Sequence, residues 1–131
     1  MNVTLSGDNA GVGGTFYRPD LVKNPNLPSG DRTRLRYFDP TAFAQPAPGK
    51  FGNSGRNVVR QGGVNNWDIS IFKSFPLGWE GGRFEFRAEM FNAFNHTQWT
   101  GYRTAFGSTG FGSATGARDA RSVQMGLKLY W

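Results

Sequence analysis

The chain has no cysteine and a single histidine, His96. Without cysteine there is no disulfide framework, no thiolate metal site and no thiol nucleophile, and every compartment stays open. One histidine, with no carboxylates clustered around it in the sequence, gives no basis for a metal site. The chain also has no apolar run of the about 18 residues that mark a membrane-spanning helix. Its opening, MNVTLSGDNAGVGG, has neither the basic nor the apolar stretch of an export signal. Acidic side chains are in deficit, 9 against 15 Lys and Arg, for a net charge of +6 and an isoelectric point near 10.2. That balance permits nucleic acid, anionic lipid or an acidic ligand as partner, and chooses none of them.

Glycine and aromatic residues are abundant. There are 19 Gly and 12 Phe, and Phe, Trp and Tyr make up 15% of the 131 residues. Such a composition builds aromatic strands and Gly-rich loops more readily than a helical core. The two halves differ. Pro19, Pro25, Pro28, Pro40, Pro46 and Pro48 fall before residue 66 and only Pro76 after it, so residues 1–66 read as a mostly extracellular-type loop region. Val3 and Leu5 fit the tail of a short strand there, and Leu35, Tyr37 and Phe38 fit a short strand or a loop anchor. Residues 67–131 alternate with a period of two. They predict three antiparallel barrel strands, at about 67–75, 83–94 and 122–131, joined by a short turn and a long loop. A helix over Arg83–Phe94 is the rival, since Phe84, Ala88 and Phe91 have helical spacing, but alternation runs unbroken from Arg83 to Met90.

A soluble antiparallel sandwich also alternates. Four features favour an all-β fold whose strands come from the C-terminal end of an outer-membrane barrel, with long irregular Gly/Pro-rich loops. Ser122–Trp131 and Arg83–Ala93 have the about 9–11 residues a tilted strand needs to cross a bilayer. Trp67, Phe75, Phe84, Phe94 and Trp131 stand at strand ends, where barrels place aromatic girdles. Pro76–Gly82 is short and His96–Arg121 is long, as periplasmic turns and extracellular loops are. The last strand also ends on Leu129-Tyr130-Trp131, like the strand that outer-membrane proteins present to the barrel assembly machinery. The faces then sort by cost, since an Arg on the lipid side costs about 2–4 kcal/mol at the midplane. The expected lipid-facing residues are Trp67, Ile69, Ile71, Phe84, Phe86, Met90, Val123, Met125, Leu127, Leu129 and Trp131. The expected lumen-facing residues are Arg83, Glu85, Arg87, Glu89, Gln124 and Lys128. Lys73 shares parity with the apolar set, near a strand end where a lysine snorkels to the interface.

No grouping of residues points to catalysis. Glu85 and Glu89 share a face, but Arg83 and Arg87 interleave with them and keep both ionised. Gly52–Asn57 lacks the Gly-Lys-Ser/Thr ending of a phosphate loop and reads as a turn. Arg118, Asp119 and Arg121 fit either an anionic ligand at the mouth or an internal Asp–Arg pair shaping the loop's return. No enzymatic activity, catalytic residue, cofactor or metal is expected.

Tyr37–Leu77 (YFDPTAFAQPAPGKFGNSGRNVVRQGGVNNWDISIFKSFPL), Phe86–Trp99 (FRAEMFNAFNHTQW) and Ala117–Trp131 (ARDARSVQMGLKLYW) resemble the last part of Oar-like TonB-dependent receptors, and Arg18–Pro28 (RPDLVKNPNLP) resembles the loop before them. The resemblance implies a barrel of about 22 strands with a plugged lumen, an upstream plug, often with a carboxypeptidase-regulatory-like domain, and energy delivered through TonB. On this reading the chain is a C-terminal piece of a transport or receptor barrel in the bacterial outer membrane, truncated at its N-terminus. Its partners are membrane lipid, the remaining barrel and plug, the assembly machinery through the last strand, and TonB only through the missing part. No nucleic-acid partner is expected. A soluble β-rich module binding glycan or single-stranded nucleic acid and a non-functional barrel remnant are the alternatives.

Overall fold

The computed structural model of the chain covers Met1–Trp131. It is all-β: β1 (Thr4–Leu5), β2 (Asp20–Leu21), β3 (Phe43–Ala44), β4 (Ile69–Pro76), β5 (Arg83–Phe91), β6 (Trp99–Tyr102), β7 (Ala105–Phe106), β8 (Ala114–Ala117) and β9 (Ser122–Tyr130), with single 3-10 turns at Ser29–Asp31 and Pro40–Ala42. No helix is long and apolar enough to cross a membrane. Arg83–Phe91 is extended, so alternation prevails over helical spacing there. The chain forms two compact units. One is Met1–Gly63 with Trp99–Ala117, and the other is Val64–Gln98 with Arg118–Trp131.

The first unit is an irregular body held by aromatic packing. Prolines and glycines interrupt its sequence, so its strands are short: β1 pairs in parallel with β7, β2 antiparallel with β3, and β6 antiparallel with β8. Its centre is Val3, Tyr37, Phe38, Ala42, Phe43 and Val59. Phe38 meets Phe43 and Phe111 edge-on, at 6.0 and 5.3 Å between ring centres, an arrangement the aromatic quadrupole favours. Tyr37 and Phe38 are buried anchors, whereas Leu35 is 83% exposed at the tip of a turn and anchors nothing.

Loop backbone without a ladder needs other partners, and side chains of Asp and Asn supply them. The Asp8 carboxylate accepts from the amides of Gly11, Val12 and Gly13. Asn53 caps Leu21 N–H at 2.7 Å while its own N–H donates to Asp20, so Gly52–Asn57 is a brace beside β2. Asp39 opens the Pro40–Ala42 turn, accepting from the Thr41 amide at 3.1 Å and the Thr41 hydroxyl at 2.8 Å. It also pairs with Lys23 at 2.8 Å and with Arg36 at 3.4 Å. Lys23 and the Thr41 donors hold its carboxyl far below the ordinary carboxylate range.

The sequence boundary near residue 66 lies close to the division between the units. The segment Trp99–Ala117, however, groups with the N-terminal residues. It is a folded part carrying β6, β7 and β8, because Phe106, Phe111 and Tyr102 pack against the aromatic centre.

The second unit is a three-stranded antiparallel sheet in the order β4-β5-β9. Its register sets Ile69 opposite Met90, Phe75 opposite Phe84, Phe84 opposite Leu129, and Met90 opposite Val123. The period-two segments thus meet mostly apolar to apolar and polar to polar, as alternation requires of a register with one apolar face; Lys73 opposite Phe86 and Phe72 opposite Arg87 depart from it.

Candidate functional site

The sheet of the second unit has two unlike faces. On one face lie four rungs: Ile69–Met90–Val123, Ile71–Ala88–Met125, Lys73–Phe86–Leu127 and Phe75–Phe84–Leu129. Every member but Lys73 is apolar. The face is uncovered, with Met125 71%, Leu127 67% and Ile71 51% exposed. A contiguous apolar surface of this kind marks contact with another apolar phase or partner.

The opposite face carries Ser70, Phe72, Ser74, Arg83, Glu85, Arg87, Glu89, Gln124, Gly126, Lys128 and Tyr130. Lys128 stands opposite Glu85 and Gln124 opposite Glu89, yet the ion pairs run along β5 rather than across the sheet. Arg83 pairs with Glu85 at 3.0 Å, and Arg87 with Glu89. Tyr130 explains the difference. Its hydroxyl donates to Glu85 at 3.2 Å, and its ring receives the Arg83 guanidinium at 3.8 Å and the Lys128 ammonium at 4.8 Å. Phe72, an apolar side chain on this face, lies under the Arg87 guanidinium at 5.1 Å. Gly126 adds no side chain, and a groove opens beside it between Phe72, Glu85, Arg87 and Lys128.

Aromatic residues mark both ends of the sheet. At the long-loop end Trp67 meets Phe94 edge-on at 6.2 Å, and Phe94 stacks on His96 at 5.9 Å. Trp67 precedes β4 and Phe94 follows β5. At the short-turn end the ring centres of Phe75 and Phe84 lie 6.4 Å apart, Trp79 stands in the turn, and Tyr130, followed by Trp131, stands opposite Arg83. The turn closes through Leu77 N–H to Gly82 O at 2.8 Å and Gly82 N–H to Trp79 O at 3.1 Å, with Gly81 at φ 77°.

Sequence reasoning missed the joint at the long-loop end. Asn92 is buried, with φ 51°. Its amide N–H donates to Asp68 at 2.9 Å. Its side chain accepts from His96 N–H at 3.0 Å and donates to the carbonyls of His96 at 3.3 Å and Asp119 at 3.1 Å. Asn95, at φ 53°, accepts from Arg121 N–H at 3.0 Å. Three chain segments are thereby fixed where they enter and leave the sheet. The available signal was Asn92 and Asn95, three apart directly after a strand, since Asn tolerates the left-handed region. Asp119 joins through its carbonyl and forms no ion pair, so the expected Asp119–Arg contact is replaced by Asn92 and Asn95. His96 is held at its Nδ1 by Asn65 O at 3.2 Å. No three His, Asp or Glu side chains come together as a metal-holding group.

A family model described as outer membrane beta barrel domain matches residues 1–124. No curated protein matches the chain, and no solved structure does.

Proposed function

Since the chain belongs to the outer membrane beta barrel domain family, we propose that its three-stranded sheet is an arc of the wall of a TonB-dependent, Oar-like transport or receptor barrel. The carrying observation is the exposed apolar face set against a charged one on the same three strands. In a soluble sandwich a second sheet would cover that face at about 10 Å. In a bilayer, lipid covers it. The lipid-facing set is then Trp67, Ile69, Ile71, Phe84, Phe86, Met90, Val123, Met125, Leu127, Leu129 and Trp131, and the lumen-facing set is Arg83, Glu85, Arg87, Glu89, Gln124 and Lys128.

Dimensions support this reading. β5 has 9 residues, about 30 Å at the usual rise of a strand. A tilt of about 40° reduces that to roughly 23 Å, close to the about 25 Å apolar band of such barrels. Aromatic side chains stand at both ends, as interfacial girdles do. By the resemblance of Tyr37–Leu77, Phe86–Trp99 and Ala117–Trp131, the barrel is of the TonB-dependent kind, with TonB acting through a plug. This chain does no chemistry of its own. It supplies wall and loops, and Ser122–Trp131 addresses the assembly machinery.

Paired substitutions at positions of opposite parity on β9 test the assignment. In protein folded into lipid vesicles, Leu127→Arg is expected to cost about 2–4 kcal/mol and Gln124→Arg close to nothing. Equal costs in a urea titration would place neither face in lipid.

A further inference from the structure

Lys73 is the one charged side chain on the apolar face, and that face holds no acid. The carboxylates of Glu85 and Glu89 belong to the opposite parity and pair there with Arg83 and Arg87. Lys73 forms no ion pair. It lies in the rung Lys73–Phe86–Leu127, one rung from the short-turn end, and its ammonium sits 5.7 Å from the ring centre of Phe75. Phe75 is the next residue of that face toward Pro76, so the lysine stem runs along the apolar surface toward the turn. A cation on a lipid-facing surface extends to the depth where lipid chains meet water, and the anion waiting there is a lipid phosphate.

Resting on the barrel reading, we propose that Lys73 binds the headgroup phosphate of a phospholipid in the leaflet on the short-turn side, with that lipid's chains lying along Phe75, Phe86 and Leu127. The charge of the site fits no other component of the face. The lysine supplies one compact cation, the flanking rings supply an apolar wall, and no carboxylate on this face of the three strands competes.

The test folds the full chain into three bilayers: phosphatidylglycerol, phosphatidylcholine, and digalactosyldiacylglycerol, which has no phosphate. The readout is the urea midpoint for loss of sheet structure. In both phospholipids Lys73→Met is expected to lower the midpoint and Lys73→Arg to preserve it. In the galactolipid, Lys73→Met is expected to leave the midpoint unchanged or raise it. Native mass spectrometry of protein released from the phosphatidylglycerol bilayer should find retained phospholipid on the parent chain and Lys73→Arg, and a loss of it on Lys73→Met. A shift of the same sign and size in all three bilayers would overturn the proposal and point to a protein group on an adjoining strand or to no ligand. If the effect of Lys73→Met in the phospholipid bilayers appears only with inorganic phosphate in the buffer and vanishes without it, the anion comes from solvent and the lipid assignment fails. A parent chain that forms no sheet in any of the bilayers overturns the barrel reading as well.

Discussion

Asp39 and Asn92 show how single polar side chains replace regular structure in this chain. Asp39 fixes a 3-10 turn and draws Lys23 and Arg36 to it. Its folded carboxyl titrates far below the ordinary value of 3.8, through Lys23 and the Thr41 donors. Between the two values the unfolded chain carries the extra proton, so stability rises with pH there. The contribution of Asp39 is therefore complete above about pH 5 and is lost progressively as pH falls below about 4 toward the folded value. Asp39→Ala should cost about 1–3 kcal/mol at neutral pH and flatten that acid limb, as read by denaturant titrations at several pH values. At Asn92 the left-handed backbone and the side-chain bonds separate by substitution. Asn92→Ala loses both, and Asn92→Gly loses only the bonds. The alanine variant should be the less stable by about 1–2 kcal/mol, measured by the same titration. Equal losses would show that the conformation costs nothing there.

The strands of the sheet were legible because period two survives in sequence wherever one face is apolar: Phe84, Phe86, Ala88 and Met90 against Arg83, Glu85, Arg87 and Glu89. The faces and the antiparallel order follow from that parity and from the short Pro76–Gly82 connection. What was not legible lacks any period. β1 pairs with β7 across about a hundred residues, and Phe38, Phe43, Phe106 and Phe111 gather from loops that read only as Gly- and Pro-rich. The segment Trp99–Ala117 looked like one long loop because its contacts are aromatic edges and carbonyls on distant residues. The charge pattern was legible in kind but not in pairing, since Tyr130 takes the place opposite Arg83 and redirects both Lys128 and Glu85. Within the short turn, Gly81→Ala is expected to cost about 1–2 kcal/mol, because alanine at φ 77° meets its own carbonyl. Loss of sheet circular dichroism at lower urea would register it.

The sheet leaves one edge of β4 and one edge of β9 without a partner strand, and three strands do not close a barrel. In water, with its apolar face and both edges open, the full chain should self-associate. A monodisperse monomer melting cooperatively without detergent would speak for the soluble binding module instead. The most direct test of a lipid-facing wall is site-by-site accessibility along β9, and the absence of native cysteine makes single-cysteine spin labelling clean. In protein folded into lipid bilayers, labels at Val123, Met125, Leu127 and Leu129 should be reached by oxygen dissolved in the lipid and not by a water-soluble nickel reagent. Labels at Ser122, Gln124, Gly126 and Lys128 should be reached by the nickel reagent. That alternation, in that phase, is the predicted result; no alternation, or the opposite phase, would contradict a membrane wall built from this sheet.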